Sequence, residues 1–509
     1  MTVRTGDEYI AGLQDGRRVY VAGQVVDDVT AHEPLNRVVK TFAELYDLQH
    51  SDQFRDRLTY RDEDGQIFSG GWVRPRDRSE LVWRRRLIET VARRTGALFG
   101  RAVDYVPLFM LGMYDIRDDF SQGNERYRGN IERYWDYARD NDLALAHAFV
   151  SEQADPTKPL TDTDVPRIVK TTEDGIVVSG IYTIATFVPY ADECLFGTLP
   201  RPNLTDEYVH YYALPMNTPG ISIVARTIYG AGSAYENPAG RFGDENDSMI
   251  IMDDVLVPWE RVFNHGNPTF CTSIFPRITL WAHWGILARM AVKAELLAGL
   301  LYLLPEMTGR SRNPYVQETQ AEALRYLVTI RGMLSAAEEH GHVTPAGHWM
   351  PNAALLAAGR AYAVEHHRRI LQYIQDVGAQ SLINMPTEGN LRSPEIGPKL
   401  EHLLSSPASG AEERSLVFRL AQELTSGSFG GRQTLFELFN SSPWTSQRAA
   451  MARRVDHDAL MDLARVTAGV PGADDPAAVS DRLDCAISGL VDPHPESPVA
   501  ASGAAGGVR

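Results

Sequence analysis

Cysteine, positive charge and long apolar runs are all scarce in this 509-residue chain, and each shortage excludes a class of protein. The three cysteines, Cys194, Cys271 and Cys485, form no CxxC pair, which argues against a disulfide framework or a zinc or iron–sulfur site and fits a reducing cytoplasm. No window holds the roughly 18 apolar residues that span a bilayer, and the N-terminus lacks the apolar core of an export signal.

The charge balance narrows the possible partners further. Lys and Arg together number 50 against 66 Asp and Glu, which gives a formal net charge of -16. Such a surface repels phosphate backbones and anionic lipids. We therefore expect a cytoplasmic protein without a nucleic-acid or membrane partner.

Hydrophobic periodicity divides the chain into helical and strand-rich parts. The first part repeats apolar residues every three or four positions, the middle shows short β-branched runs broken by turn residues, and four long helical stretches follow. Helices in series with one apolar face predict a bundle. The Ala-, Gly-, Pro- and Ser-rich end cannot bury a core. The sequence therefore predicts an N-terminal helical domain at 1–154, a middle β domain at 155–272, a helical bundle at 273–468 and a disordered tail at 469–509.

Three polar side chains beside apolar runs are candidates for chemistry. Arg101 and Tyr105 are four residues apart, so on a helix they would share one face. His147 follows Leu143 and Leu145 and precedes Phe149, which predicts a buried helix end. Each feature also has a structural interpretation, since an Arg beside a Tyr often snorkels and a histidine in apolar surroundings is usually a core residue.

A glycine- and serine-rich segment, "TSGSFGGRQTLFELF", covers 425–439. Small residues before an arginine let a backbone approach a phosphate, which the guanidinium can then clamp. A loosely packed break in a helix explains the same pattern equally well. The more familiar nucleotide motifs are absent, since "YGAGSAYENPAG" lacks a third glycine and a following helix, and no Walker A sequence occurs.

Metal binding is disfavoured by the spacing of the histidines. A di-iron bundle needs two ExxH pairs on helices. Glu339 and His342 form one such pair, but Glu207 and His210 lie in a predicted strand, where i and i+3 point to opposite faces. The remaining cluster, His340, His342 and His348, is interpreted as a solvated loop, so no metal is predicted.

Several stretches taken together resemble one known family. They occur in consistent order over about residues 4–460 and include "GRAVDY", "LALAHAFVSEQADP", "GIVVSGIYTIATFVPYADECLF", "ALPMNTPGISIVAR" and "GSFGGRQTLFELF". These stretches resemble the oxygenase component of the two-component, FAD-dependent 4-hydroxyphenylacetate 3-monooxygenase family. The resemblance implies the acyl-CoA dehydrogenase-like fold, which is mainly α with a middle β domain and a C-terminal four-helix bundle, in a homotetramer.

The resemblance also implies the chemistry. A separate NAD(P)H-dependent flavin reductase would supply reduced FAD (FADH2) by diffusion, and O2 would convert it to a C4a-hydroperoxide that hydroxylates a phenol ortho to its hydroxyl group, giving a catechol. The substrate would be 4-hydroxyphenylacetate or a tyrosine-derived phenol, free or tethered to a carrier protein.

Matching the sequence to the family's motifs assigns the site residues. Catalysis and phenol binding fall to Arg101, Tyr105 and His147, with His147 accepting the phenol proton. Further substrate contacts are implied for Gly197 and Thr198. A hydroxyl placed near the flavin N5 edge to protect the hydroperoxide is implied for Thr186. The other residues implied to contact FAD are His147, Ala148, Phe149, Gln153, Ala154, Asp155, Pro156, Gly430, Gly431, Arg432 and Gln433.

The sequence departs from the family's pattern at two places, and three other members of the fold or classes of protein are considered as alternatives. Ser151-Glu152-Gln153 stands where many relatives have Asn-Pro-Gln, and Leu438 stands where an arginine is common. The scattered cysteines exclude the 4-hydroxybutyryl-CoA dehydratase branch of the fold. An acyl-CoA dehydrogenase-type oxidoreductase and a non-catalytic flavin-binding scaffold stay open as alternatives.

Overall fold

The computed structural model describes residues 3–102, 104–153, 155, 157–440, 448, 457–472, 477–479 and 482. Most of the predicted tail at 469–509 therefore lies outside the described residues, as do Ala154 and Pro156.

Helices and short strands alternate along the first part of the chain. The helices, in chain order over the whole described chain, are α1 (Gly6–Leu13), α2 (Asn36–Leu48), α3 (Arg55–Leu58), α4 (Arg78–Arg94), α5 (Tyr105–Asp115), α6 (Arg117–Phe120), α7 (Glu125–Asp140), α8 (Pro268–Ile278), α9 (Leu280–Met307), α10 (Pro314–Glu339), α11 (Ala353–Gly378), α12 (Glu388–Leu391), α13 (Gly397–Leu404), α14 (Ala411–Ser426), α15 (Ser428–Phe439) and α16 (His457–Thr467). The strands are β1 (Val19–Val21), β2 (Gln24–Val26), β3 (Thr59–Arg61), β4 (Ile67–Ser69), β5 (Leu145–Ala148), β6 (Arg167–Thr171), β7 (Gly175–Thr186), β8 (Glu193–Phe196), β9 (His210–Pro215), β10 (Ile221–Ala225), β11 (Asp247–Pro258), β12 (Val262–His265), β13 (His342–Val343) and β14 (Trp349–Met350).

Two sheets form the β region. One has six strands in the order β2-β1-β10-β11-β7-β6, and the other has four in the order β12-β9-β8-β5. Strand β1 pairs in parallel with β10, and β5 pairs in parallel with β8. Residues from the first 150 positions thus complete both sheets, which the helical periodicity of that part did not predict.

Four long helices, α9, α10, α11 and α14, pack against one another after the sheets. Helix α9 is buried along most of its length because it has apolar residues on every side, so its neighbours can surround it. The predicted four-helix bundle and the mainly α fold with a middle β region are confirmed.

Among the helices that the structure describes, none combines the length and the apolar character needed to cross a lipid bilayer.

Candidate active site

A cavity of about 950 Å³ lies where the two sheets meet the helices. Its volume is at the upper end of the range of about 300–1,000 Å³ that is typical of ligand pockets. Its walls come from α5, β5, β7, β11, α8, the start of α9 and α15. The cavity can therefore hold ligands that contact the sheets and the bundle together.

Arg101, Tyr105 and His147, which lie far apart in the sequence, meet in this cavity. The guanidinium carbon of Arg101 is 4.2 Å from the centroid of the Tyr105 ring, and the Tyr105 and His147 ring centroids are 5.7 Å apart. Helix α5 begins at Tyr105, so Arg101 occupies the preceding turn, and the prediction that both residues share a helix face was wrong. The turn nevertheless brings the two side chains together.

His147 lies on strand β5, and the prediction of a helix end there was also wrong. Helix α7 stops at Asp140, and the chain re-enters as β5 at Leu145. Successive side chains of a strand point to opposite faces. Ala146 and Ala148 accordingly pack into one hydrophobic core, while His147 faces the cavity.

Arg101 is a buried cation held by neutral oxygens. Its Nη1 donates to the Gly100 carbonyl oxygen at 3.2 Å and to Asn440 Oδ1 at 3.1 Å, and its Nε has no partner among the described residues. No side-chain ion pair joins it to a carboxylate in the described part of the chain, and burial lowers the pKa of the guanidinium. Because it stays protonated at neutral pH, Arg101 can stabilise an anionic ligand atom.

His147 is neutral at physiological pH. Burial, helped by the nearby charge of Arg101, holds the pKa of its imidazole well below the ordinary value. Its Nδ1 is buried and has no hydrogen-bond partner among the described atoms. Because the ring is only half-buried and lines the cavity, a neutral imidazole at this position can form a hydrogen bond to a ligand and accept a proton from it.

Aromatic rings close the cavity around these residues. The Phe109 ring lies 4.9 Å from His147 and 5.6 Å from Tyr105, measured between centroids. Phe149 packs on Phe109 at 5.6 Å, and Phe275 packs on Phe149 at 6.1 Å. This arrangement is a slot for a flat apolar ring with a polar group at its Arg101 end.

A network of arginines and carboxylates also lines the cavity, next to Arg101, whose backbone N–H donates to Glu245 Oε1 at 2.6 Å. Arg432 forms a two-pronged ion pair with Asp247, with N–O distances of 2.7 and 2.6 Å, and Arg226 pairs with both Asp244 and Asp247. Thr186 Oγ1 donates to Asp247 Oδ1 at 2.8 Å. Although burial alone would raise it, these guanidinium groups hold the pKa of Asp247 well below its ordinary value. Arg432 is thus already paired with protein carboxylates.

Helix α15 contributes one face to the cavity and the other to the bundle. Gly431 faces the cavity, and a Cβ built there would meet nothing within 4 Å. A Cβ on Gly430 would instead lie 2.2 Å from the Leu424 carbonyl oxygen, and Gln433 Nε2 donates to the carbonyl oxygen of Leu98. Gly431 and Arg432 therefore border the cavity, whereas Gly430 and Gln433 support the helix.

Other residues that the sequence assigned to ligands do not line the cavity. Gln153 donates to the carbonyl oxygens of Asp155 and Lys158 within its own loop. A Cβ on Gly197 would lie 2.2 Å from the Phe149 ring, so this glycine makes room for a residue of the cavity wall. Thr198 Oγ1 donates to the Tyr208 carbonyl oxygen at 2.7 Å, away from the cavity.

The sequence interpretation missed several wall residues, chiefly Phe109, Asp247, Arg226, Phe275 and Phe436. "DENDSMII" contains Asp247 at the start of a strand, a place where a carboxylate is unusual and could have been noticed. The phenylalanines carry no such signal, because any apolar run contains similar residues.

The prediction that His348 is solvated was wrong. This residue is buried, and its Nδ1 lies 2.7 Å from Asp115 Oδ1.

The residues present fit a flavin. Ile184, Leu435 and Phe439 line the cavity yet remain 52%, 54% and 56% exposed, which is unusual for large apolar side chains and matches a flat apolar ring system lying over them. The open face at Gly431 leaves room for such a ring, and Ser428 offers a hydroxyl group beside it, whereas the hydroxyl of Thr186, also in the wall, already donates to Asp247. These residues would hold FAD, with the Arg432–Asp247 pair bordering it.

Comparison with known proteins places the chain in one family. Residues 5–264 match the family described as 4-hydroxyphenylacetate 3-hydroxylase N terminal, and residues 271–469 match its C terminal counterpart. A 4-nitrophenol 4-monooxygenase/4-nitrocatechol 2-monooxygenase oxygenase component from Rhodococcus opacus is 34% identical over 92% of this chain and 91% of its own. The 4-hydroxyphenylacetate 3-monooxygenase oxygenase component from Thermus thermophilus is also 34% identical, over 86% and 91% of the two chains.

A solved structure agrees with the sequence comparison. The crystal structure of a 4-hydroxyphenylacetate 3-monooxygenase oxygenase component complexed with FAD and 4-hydroxyphenylacetate has a TM-score of 0.86 and 32% identity, covering 91% of this chain and 98% of that one. The chain therefore belongs to the 4-hydroxyphenylacetate 3-hydroxylase family and is an FAD-dependent phenol monooxygenase that uses O2.

Proposed function

We propose that this protein hydroxylates a para-substituted phenol at the position ortho to its hydroxyl group, producing a catechol, with FADH2 supplied by a separate NAD(P)H-dependent flavin reductase. The observation that carries the proposal is the neutral, unpartnered imidazole of His147 beside the unpaired guanidinium of Arg101 in an aromatic slot. The reductase and a homotetrameric assembly stay predictions from the family resemblance.

The site residues have complementary roles in this reaction. Bound reduced FAD supplies the chemistry that activates O2 and delivers one oxygen atom. His147 accepts the phenol proton, which raises the electron density of the ring carbon that is attacked. Arg101 stabilises the resulting phenolate, and the ring of Tyr105 orients the substrate. Phe109, Phe149 and Phe275 exclude water from the slot.

The same geometry disfavours the two alternatives. An acyl-CoA dehydrogenase needs a carboxylate base facing its substrate. Among the described residues that line the cavity, the one carboxylate is Asp247, and it is held as an anion by Arg226 and Arg432. A scaffold that only binds flavin would have no use for a half-buried neutral histidine beside an unpaired arginine.

Rapid mixing tests the proposal. The purified protein is loaded with FADH2 without oxygen and then mixed with O2 in a stopped-flow spectrometer, with and without para-substituted phenols. We expect flavin reoxidation through a transient absorbing species, and a catechol when a suitable phenol is present. Reoxidation identical to that of free flavin, with no catechol from any phenol, would refute the proposal.

Replacement of His147 separates proton transfer from cofactor binding. His147→Asn should lower kcat/KM for the phenol by about 10²–10⁴-fold, because the proton acceptor is lost, while the FADH2 dissociation constant changes little. The fraction of FADH2 oxidation that yields catechol should fall and hydrogen peroxide release should rise, as measured by product analysis. His340→Asn, far from the cavity lining, serves as the control. Normal coupling in His147→Asn would remove this residue from the mechanism.

A further inference from the structure

The substrate slot has aromatic and aliphatic walls, and this has a consequence for the charge of the substrate. A phenol whose hydroxyl group reaches His147 and Arg101 places its ring between Tyr105, Phe109 and Phe149. Its para substituent then lies away from Arg101, toward Phe275 and Leu199. On the basis of the function proposed above, we infer that the natural substrate is a phenol with an uncharged para substituent.

This inference rests on the balance between arginines and carboxylates in the cavity wall. Besides Arg101, the arginines that line the cavity are Arg226 and Arg432, and within the described structure these two face three carboxylates, those of Asp244, Glu245 and Asp247. The network has no cation left for a substrate carboxylate. Arg101 itself is needed for the phenol oxygen, so a second anion would meet no unpaired arginine among the described wall residues, which is unfavourable.

The loop that follows Leu199 contains one further arginine, Arg201, but its guanidinium already donates hydrogen bonds to Ser151. Arg201 Nη2 donates to both the carbonyl oxygen and the hydroxyl of Ser151, each at 2.8 Å, and Arg201 does not border the cavity. His283 is the other imidazole in the wall. An uncharged amide, ester or alkyl group suits this environment better than the carboxylate of 4-hydroxyphenylacetate.

Matched substrates test the inference with the wild-type enzyme. 4-Hydroxyphenylacetate, 4-hydroxyphenylacetamide and methyl 4-hydroxyphenylacetate are similar in shape near the ring, but only the first carries a negative charge. Coupled turnover is measured at pH 8 and pH 6 with excess FADH2. We expect kcat/KM for the amide and the ester to exceed that for the acid by about tenfold or more at pH 8, because only the acid buries an unpaired charge.

A designed cation should reverse this preference. Leu199→Lys places an ammonium group in the wall and should raise kcat/KM for the acid relative to the amide by about tenfold. Leu199→Met, which is uncharged and unbranched, is the control and should leave the ratio unchanged. Arg201→Gln should also leave it unchanged.

The outcomes distinguish this inference from the proposed function. Hydroxylation of acid and amide with kcat/KM values within threefold of each other at pH 8 would overturn the inference and leave the function standing. A selective loss of acid turnover in Arg201→Gln would overturn it too, as would acid turnover at pH 6 that equals amide turnover and disappears in His283→Gln. If no phenol is hydroxylated, the proposed function fails first.

Discussion

Gly431 is the residue at which the cavity depends most directly on the lack of a side chain. It lies at the end of the first turn of α15, where glycine is a poor helix former, yet its Cα borders open space. Helix stability alone would therefore favour alanine at this position. Because Gly431 also lines the cavity, a ligand can lie against the helix there.

Gly431→Ala should consequently separate stability from binding. The free energy of unfolding should rise by about 0.5–1 kcal/mol, because alanine is the better helix former, while FADH2 binds more weakly. Thermal melts without flavin and fluorescence titration with FADH2 measure the two quantities. Gly332→Ala, also in a helix and also facing open space, is the control and should gain stability without a change in flavin affinity. Unchanged flavin affinity in Gly431→Ala would show that the ligand does not approach this face.

Individual site residues were only partly predictable from the sequence. The spacing of Arg101 and Tyr105 correctly indicated that the two side chains lie close together. The predicted reason, a shared helix face, was wrong, because a turn brings them together. The apolar residues around His147 fit a helix and a strand equally well over so short a span. The family resemblance supplied what local patterns could not, which is the meeting of residues that lie more than 40 positions apart.

Helix α15 is fixed to α9 by a buried ionic cluster. Glu437 accepts two hydrogen bonds from Arg289, at 2.7 and 2.6 Å, and also pairs with Lys293. Burial lowers the pKa of Lys293 to about 8. Because Phe436 and Arg432 lie on the cavity side of the same helix, the position of this cavity wall depends on Glu437.

Glu437→Gln should therefore destabilise the fold strongly. The substitution leaves the Arg289 and Lys293 side chains buried without their counter-charge, a change that typically costs about 3–5 kcal/mol. We expect a clear fall in melting temperature, measured by calorimetry or circular dichroism. Glu322→Gln, which removes one partner of the solvent-facing pair with Arg325, should change stability by no more than about 1 kcal/mol. Equal effects of the two substitutions would contradict a structural role for the buried cluster.

The elements that the sequence predicted poorly are the shortest ones. Strands β1 and β2 have three residues each, too few for an alternating pattern, and they are stabilised by pairing with β10 and with each other. The end of α7 was placed too late because the apolar pattern continues past Asp140, although Asp142 takes a left-handed conformation that stops the helix. Long helices with one apolar face were predicted reliably because their pattern repeats over several turns.

The stability of the entire molecule should depend on buried carboxyl groups. Burial raises the pKa of Asp104 to about 6, against an ordinary value of about 3.8. Between these two values the folded protein binds more protons than the unfolded chain does, so this group's contribution to stability decreases as the pH rises from about 4 to 6. Asp104 thus opposes folding at neutral pH.

Asp104→Asn should make the free energy of unfolding depend less on pH between about pH 4 and pH 6. A difference of about two pKa units corresponds to about 3 kcal/mol at most, so the variant should lose less stability than the wild type between pH 4 and pH 6.5. Melting temperatures of both proteins across this range, at constant ionic strength, provide the measurement. Asp64→Asn, at an exposed position, is the control. Parallel profiles of wild type and Asp104→Asn would show that Asp104 titrates normally.

The order of helical and strand-rich parts was predictable over the whole chain, but the way in which they share residues was not. The sheets take strands from both sides of the predicted boundary at residue 154, because β1 and β5 precede it and their partners follow it. Pairing between distant segments leaves no periodic signal in either one. The domain limits therefore stay a prediction, although the fold itself is confirmed.

The exposed apolar rim formed by Ile184, Leu435 and Phe439 also bears on the handling of the protein. Without flavin, these side chains form an exposed apolar patch through which protein molecules can associate as the protein concentration rises. Light scattering of flavin-free and flavin-loaded samples should then diverge with increasing concentration, and FAD in the purification buffers would act as a solubilising agent.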